Sequence, residues 1–329
     1  MKKEYYIAIH KDNIVVNNSS SGGGYTALTD AWFKIYRDKA VVYGCILGND
    51  LKARHIRATT LDERNLMRGS KYIASNMSGV YQAIEHDLKS GHYVCFSGTP
   101  CQVAAVKKYI SSKHIKIDNE QLFTIEVICH GVAVDKFFDD YINNLEKKYK
   151  SKAVSCKFRA KHRPGARQDV EVVFSNGKRY TSPSTRYDWF YSVYLKNLVL
   201  KPACYHCKFA IPERNADISI ADYWEKGKPL DRAHSTIIIN SRFGNEVWQL
   251  AKIDMDWREI DESEAYFPNM HHPTEKPNDY DKFWGIYNKE GYLAAQRYVG
   301  NNTVKGKLKF LIIKRVDYIR TNRVENSLE

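Results

Sequence analysis

The stretch from residue 80 to residue 149 holds the tightest constraint on the fold. Residues 80–88 carry apolar side chains at helical spacing until Gly91 stops them, and residues 92–97 (HYVCFS) then read as a buried strand. Gly98-Thr99-Pro100 makes a sharp turn into residues 101–110 (CQVAAVKKYI), which read as a helix. The pattern repeats at once: residues 122–128 (LFTIEVI) form a strand, Cys129-His130-Gly131 a turn, and residues 136–149 a helix. With a further buried strand at residues 40–47 (AVVYGCIL), this is the order of an α/β unit with parallel strands. Sites in such sheets gather at the carboxyl ends of the strands, where both turns fall.

Beyond residue 150 the texture changes. Residues 155–159 and 169–174 read as strands, with Ser175-Asn176-Gly177 as a hairpin signal after the second. Residues 187–200 read as an aromatic-rich helix, followed by a loop holding Pro202, Cys204 and Cys207. Strands at 217–223 and 236–240 and a helix at 245–253 complete this part. The expected fold class is therefore an α/β N-terminal half with parallel strands followed by a mixed α+β C-terminal half. The expected regions are 1–150, 151–300 and a basic amphipathic helix at 301–329.

Composition narrows the function classes. A chain of 329 residues with 43% hydrophobic content can bury a large core. Residues 5–9 are too short for a signal peptide, and no apolar run reaches the roughly 18 residues of a membrane span. The expectation is a cytoplasmic protein, with a peripheral place at the inner membrane surface as the alternative. The net charge of +13 admits anionic partners of several kinds. No specific nucleic acid is expected, because helix-turn-helix, zinc-finger and aromatic RNA-binding signatures are lacking.

Seven cysteines without a secretory signal argue for reduced thiols. Cys204 and Cys207, two residues apart, can hold one metal centre from a single turn, and iron–sulfur cluster, zinc knuckle and redox pair all remain open. Cys101 and Cys129 sit in turns at strand ends and offer two more ligands, or are merely packed thiols. Cys45, Cys95 and Cys156 lie inside apolar strands, where cysteine is usually a small hydrophobe.

Six motifs in register resemble the coenzyme F-420 hydrogenase/dehydrogenase beta subunit family. They are residues 19–24 (SSSGGG), residues 68–72 (RGSKY), residues 98–102 (GTPCQ), Cys129-His130-Gly131, Phe158-Arg159 with Lys161, and Cys204-x-x-Cys207 with Arg214, Asp217, Asp222 and Trp224. The resemblance implies a flavoprotein, with FAD or FMN, carrying one 4Fe-4S cluster held by Cys101, Cys129, Cys204 and Cys207. Ser20, Ser21, Gly22, Gly23, Gly69, Ser70, Lys71 and Thr99 would contact the flavin, and His130 and Lys71 would handle protons. Read on their own, residues 19–24 precede a helix-like run at 25–36, where glycines let backbone amides approach a phosphate. His130 fits a proton donor or a hydrogen-bonding support for its neighbouring thiolate.

The implied reaction passes electrons between the cluster and an organic hydride acceptor or donor, either the deazaflavin itself or a glycan precursor. Family members often carry a ferredoxin-like segment, whereas here the first cysteine is Cys45 in a strand. One cluster and a separate donor such as a ferredoxin are thus expected. Ala221 and Glu225 stand where the family often has glycine, which leaves the substrate open. The competing reading is a zinc-stabilised or catalytically inactive scaffold in polysaccharide biosynthesis. In the tail, Leu308, Ile312, Val316 and Ile319 recur at helical steps among seven basic residues, the pattern of a helix that docks on a membrane surface or a protein, or packs on its own chain.

Overall fold

A computed structural model describes residues 2–114, 118, 120–161, 169–182, 188–223, 234–300, 308 and 312. In chain order its strands are β1 (Glu4–His10), β2 (Ala40–Leu47), β3 (Ala53–Ala58), β4 (Tyr93–Gly98), β5 (Leu122–Val127), β6 (Ala153–Ala160), β7 (Asp169–Phe174), β8 (Arg179–Thr181), β9 (Ile218–Asp222), β10 (Ser235–Ile239) and β11 (Met255–Glu259). The α-helices are α1 (Asn13–Asn18), α2 (Gly24–Tyr36), α3 (Leu61–Asn65), α4 (Val80–Lys89), α5 (Pro100–Ser112), α6 (Asp135–Tyr149), α7 (Trp189–Tyr194), α8 (Arg242–Ala251), α9 (Tyr280–Glu290) and α10 (Tyr292–Tyr298).

Eight strands form one mixed sheet in the order β11-β1-β10-β9-β5-β4-β2-β3. Its centre is parallel, with β2 beside β4, β4 beside β5 and β5 beside β9. The outer pairs run antiparallel. Parallel strands must be covered on both faces, and β4 shows how its sequence meets that need. Val94 and Phe96 pack with Val103 and Val106 of α5 and with Ile84 and Leu88 of α4. Cys95, on the opposite pleat, joins the core under α2 and α8, where Trp32 stacks on Phe123 at 5.3 Å between ring centres.

The remaining strands, β6, β7 and β8, make a separate three-stranded sheet. It packs with α6, α7, α9 and α10 around Phe137, Phe138, Phe158 and Phe190. Inside this layer the buried Asp188 carboxylate accepts bonds from Tyr141 Oη (2.8 Å), Tyr180 Oη (3.0 Å) and the Tyr191 amide (2.9 Å). Three donors make that burial tolerable, although desolvation still raises the carboxyl above its ordinary range.

The fold class is met in part. The strand–turn–helix units stand where the spacing put them, but the central sheet is shared: β1 pairs only with β10 and β11, and β5 pairs with β9. The halves expected on either side of residue 150 therefore interlock. The helix expected at 187–200 is α7 alone within its described part, because Asn197 takes a left-handed φ of 59° and the chain turns so that Leu200 can bridge Ala133. Trp224, Glu225 and the tail lie outside the described residues, apart from Leu308 and Ile312, which are helical and exposed. Among the described residues no helix is long and apolar enough to cross a membrane.

Candidate functional site

At the carboxyl end of β4, Thr99 caps α5 and Pro100 occupies its first turn, where a missing amide hydrogen costs nothing. The Gln102 side chain accepts from the Thr99 amide at 3.0 Å, and Cys101 is left exposed with its sulfur 3.1 Å from Thr99 Oγ1. The next strand over, β5, continues past its end to Cys129, where the Ile128 amide still bonds to the Ile220 carbonyl at 2.9 Å. Gly131 follows with φ of 131°, and a Cβ there would come within 2.9 Å of Leu200 Cδ1 and 3.3 Å of Cys204 Cβ. Glycine is what allows the Cys129 turn to lie against the Cys204 turn.

That second turn is a 3-10 segment, Pro202–His206, which contains Cys204 and is followed directly by Cys207. It is tied to the first by backbone bonds from Lys201 N to Val132 O (2.9 Å) and Val134 N to Val199 O (2.8 Å). The Cys129 thiol is pushed up to about 12, by burial first and then by the neighbouring Cys204, Cys101 and Cys207, each of which would add like charge, against a backbone bond at Gly131 that lowers it. Cys204 rises for the same reasons, burial first and then Cys207 and Cys101, against a backbone bond that lowers it. Three separate segments thus bring four thiols within electrostatic reach of one another. Among the described residues no group of three or more His, Cys, Asp and Glu could hold a metal ion. Cys95 and Cys156 are buried in β4 and β6, and Cys45 is part-buried in β2, as their apolar settings indicated.

The serine–glycine residues and the 68–72 segment also meet. Ser20 Oγ accepts from the Ser70 amide at 2.7 Å and lies 3.0 Å from Ser70 Oγ. Ser21 Oγ donates to the His234 carbonyl, and the Gly22 amide donates to Ser235 Oγ at 3.1 Å. Gly22 is pressed so close to Ala8 O and Ser235 N, 2.5 and 2.6 Å from an added Cβ, that only glycine fits. Gly22 and Gly23 are buried and serve the entry into α2, whereas Gly69 (φ 85°) faces open space. Lys71 Nζ donates to the Met67 (2.7 Å) and Arg68 (3.0 Å) carbonyls, and burial lowers its amine to about 8. His130 Nε2 is 2.7 Å from Asn197 Oδ1, and its carbonyl accepts from Thr274.

Three residues join this surround without having been selected from the sequence. Arg68, inside the quoted 68–72 motif, bonds Thr26 Oγ1 in the first turn of α2 at 3.1 Å. His10 ends β1 beneath Gly23, with its Cβ 3.0 Å from where a Gly23 Cβ would stand. His55 lies buried in β3, whose sequence ARHIRA gives no apolar alternation to announce it. Lys161 and Arg159, quoted only as motif residues, reach the same region: Lys161 Nζ donates to Val16 O (2.7 Å) and Ser21 O (3.2 Å), and Arg159 pairs with Asp222. A cleft of about 400 Å³ is lined by Lys52, Ser75, Asp139 and Lys201 and by none of the four clustered cysteines.

The F420-reducing NiFe hydrogenase complex from Methanosarcina barkeri contains a chain of similar fold, with TM-score 0.52 and 20% sequence identity over 78% of this chain and 81% of that one. No curated protein matches. The family model for the C terminus of the coenzyme F420 hydrogenase/dehydrogenase beta subunit matches residues 91–263, a span that holds all four clustered cysteines and more than half of the chain. The chain belongs to the coenzyme F420 hydrogenase/dehydrogenase beta subunit family, a family of oxidoreductases.

Proposed function

We propose that the chain is a flavin-dependent oxidoreductase holding one 4Fe-4S cluster on Cys101, Cys129, Cys204 and Cys207. The observation that carries this reading is the gathering of four thiols from three segments, while the other three cysteines stay in strands. A cubane takes one thiolate on each of its four irons, and these four cysteines are the right number and kind of ligand for it. When bound, flavin and cluster together would couple two-electron chemistry on an organic substrate to single-electron exchange.

The chain's own residues have distinct tasks in this reading. Thr99, Pro100 and Gly131 shape the turns that present the thiols. Ser20 and Ser70 lock the glycine loop to the 68–72 segment, so that Arg68 and Lys161 bring positive charge to the entry of α2, a fitting place for the phosphate of FAD or FMN. Ser21 Oγ and the Gly22 amide are engaged within the loop, and with Ser20, Gly23, Gly69, Ser70, Lys71 and Thr99 they are the proposed flavin contacts. With its amine lowered to about 8, Lys71 can release a proton close to neutral pH. Asn197 and Thr274 brace His130 at the Cys129 turn. The substrate class is an organic hydride donor or acceptor, either the deazaflavin or a glycan precursor, and a ferredoxin-like protein is the proposed electron donor.

Anaerobic purification followed by iron, sulfide and flavin analysis tests the reading. About four irons and one flavin per chain are expected. Serine in place of any of the four cysteines should lower iron, and serine at Cys45 or Cys95 should not. Stoichiometric zinc without flavin, or equal iron loss in both sets, overturns the proposal.

A further inference from the structure

Behind Cys101 a chain of side-chain hydrogen bonds links the end of β4 to β3, two strands away in the sheet. Thr99 Oγ1 lies 3.1 Å from both Cys101 Sγ and Gln102 Oε1. Gln102 Nε2 donates to Ser75 Oγ at 2.8 Å, Ser75 Oγ is 2.8 Å from His55 Nδ1, and His55 Nε2 is 2.9 Å from the Ser97 carbonyl. His55 stacks on Phe96 with rings 5.3 Å apart and 16° from parallel, so its plane is fixed.

The direction of every bond follows from one end. A carbonyl can only accept, so His55 Nε2 carries a proton and donates to Ser97. Burial lowers the His55 pKa to about 4, so the ring is neutral at neutral pH and Nδ1 is an acceptor. Ser75 must then donate its hydroxyl hydrogen to Nδ1 and accept from the Gln102 amide. That orients Gln102 Oε1 toward Thr99, where it already accepts the Thr99 amide at 3.0 Å. The Thr99 hydroxyl hydrogen is left with two acceptors, an amide oxygen that is already bonded and the Cys101 sulfur. A thiol is a weak acceptor, but a metal-bound thiolate carries charge and is the stronger of the two.

We infer that Thr99 donates a hydrogen bond to the bound Cys101 thiolate, and that Gln102, Ser75 and His55 aim this bond and so tune the reduction potential of the cluster. The inference rests on the cluster reading above. A bond to a ligating sulfur favours the reduced, more negative cluster, so it raises the potential. Thr99→Val removes the donor while keeping the side chain's size, and Thr99→Ser keeps the hydroxyl. Ser75→Ala keeps Thr99 and its hydroxyl but frees the Gln102 amide to turn.

The test is a reductive titration of the anaerobically purified holoprotein, read by the electron paramagnetic resonance signal of the reduced cluster. With Thr99→Val, the reduced-to-oxidised ratio at a fixed potential should fall about fivefold, the equivalent of one ordinary hydrogen bond. Thr99→Ser should titrate like the parent, and Ser75→Ala should shift the same way by less. A Thr99→Val cluster that titrates with the parent, or a Thr99→Ser cluster that shifts as far as Thr99→Val, overturns the inference. If Thr99→Val fails to retain iron, Ser75→Ala decides, and an unchanged potential there overturns it. Absence of iron from the parent protein would instead sink the cluster reading itself.

Discussion

At the scale of single residues, His55 carries a cost that depends on pH. Its folded pKa, about 4, lies below the ordinary 6.5, so between those values the unfolded chain takes up a proton that the native ring refuses. Stability from this group is therefore intact above pH 6.5 and is lost as pH falls toward 4. Urea unfolding should show a loss of about 2 kcal/mol between pH 7 and pH 5 attributable to it. His55→Phe should be less stable at pH 7, since Ser75 and the Ser97 carbonyl lose a partner, and its pH slope should be flatter by that amount. An unchanged slope would mean that the ring does not titrate as its burial dictates. The sequence could not have shown this residue, because a histidine between two arginine positions of a strand has no pattern to betray its burial. The turns that carry Cys101, Cys129, Cys204 and Cys207 were legible for the opposite reason. Turn residues and strand ends mark where side chains leave a sheet, and a spacing of two residues marks a shared turn. That the Cys129 and Cys204 turns lie against each other depended on Gly131 and the pairing of segments far apart in the chain, which spacing does not encode.

Among elements, a buried ion pair helps to join β5 to the loop after Cys207. Arg214 Nε donates to Glu126 Oε1, Arg214 Nη1 also donates to the Ile211 carbonyl at 2.8 Å, and Ser219 Oγ donates to the same carboxylate oxygen at 2.7 Å. The pair is almost wholly out of water: the carboxylate is 0% and the guanidinium 2% exposed. Removing one member leaves the other charged and unpaired in the interior, which typically costs about 3–5 kcal/mol. Arg214→Met should cost about that much in urea unfolding, and it should also reduce iron content, because Glu126 leads to Cys129 and Arg214 follows Cys207. The double replacement Arg214→Met with Glu126→Leu should recover much of the stability. Equal losses in the single and double variants would show that the pair contributes through its other hydrogen bonds. Strands β2, β4 and β5 and the helices between them were legible because their apolar runs are bounded by glycine and proline. Strands β3 and β11 were not, since edge strands carry polar and charged side chains that mask the period of two.

For the whole molecule, the decisive fact is that the sheet draws its strands from both ends of the chain. The two neighbours of β1 are β10 and β11, and the partners of β5 are β4 and β9. A fragment ending at residue 150 would keep β2, β3, β4 and β5 but leave β1 with no neighbour and one edge of β5 bare. It would also expose Phe137 and Phe138 of α6, which the intact chain buries against Phe158 and Phe190. An open parallel edge and an uncovered aromatic face invite aggregation. The fragment 1–150 should therefore be insoluble or lack a cooperative unfolding transition, while the described core of the full chain should unfold with β1 and β5 in one step. Hydrogen exchange can check this directly, because amides of β1 and β10 should share the opening free energy of β4 and β5 if one sheet is one cooperative unit. A soluble 1–150 fragment with protected β4 and β5 amides would restore the boundary at residue 150, and would place the Cys204 and Cys207 turn on a part of the chain able to fold independently of Cys101 and Cys129.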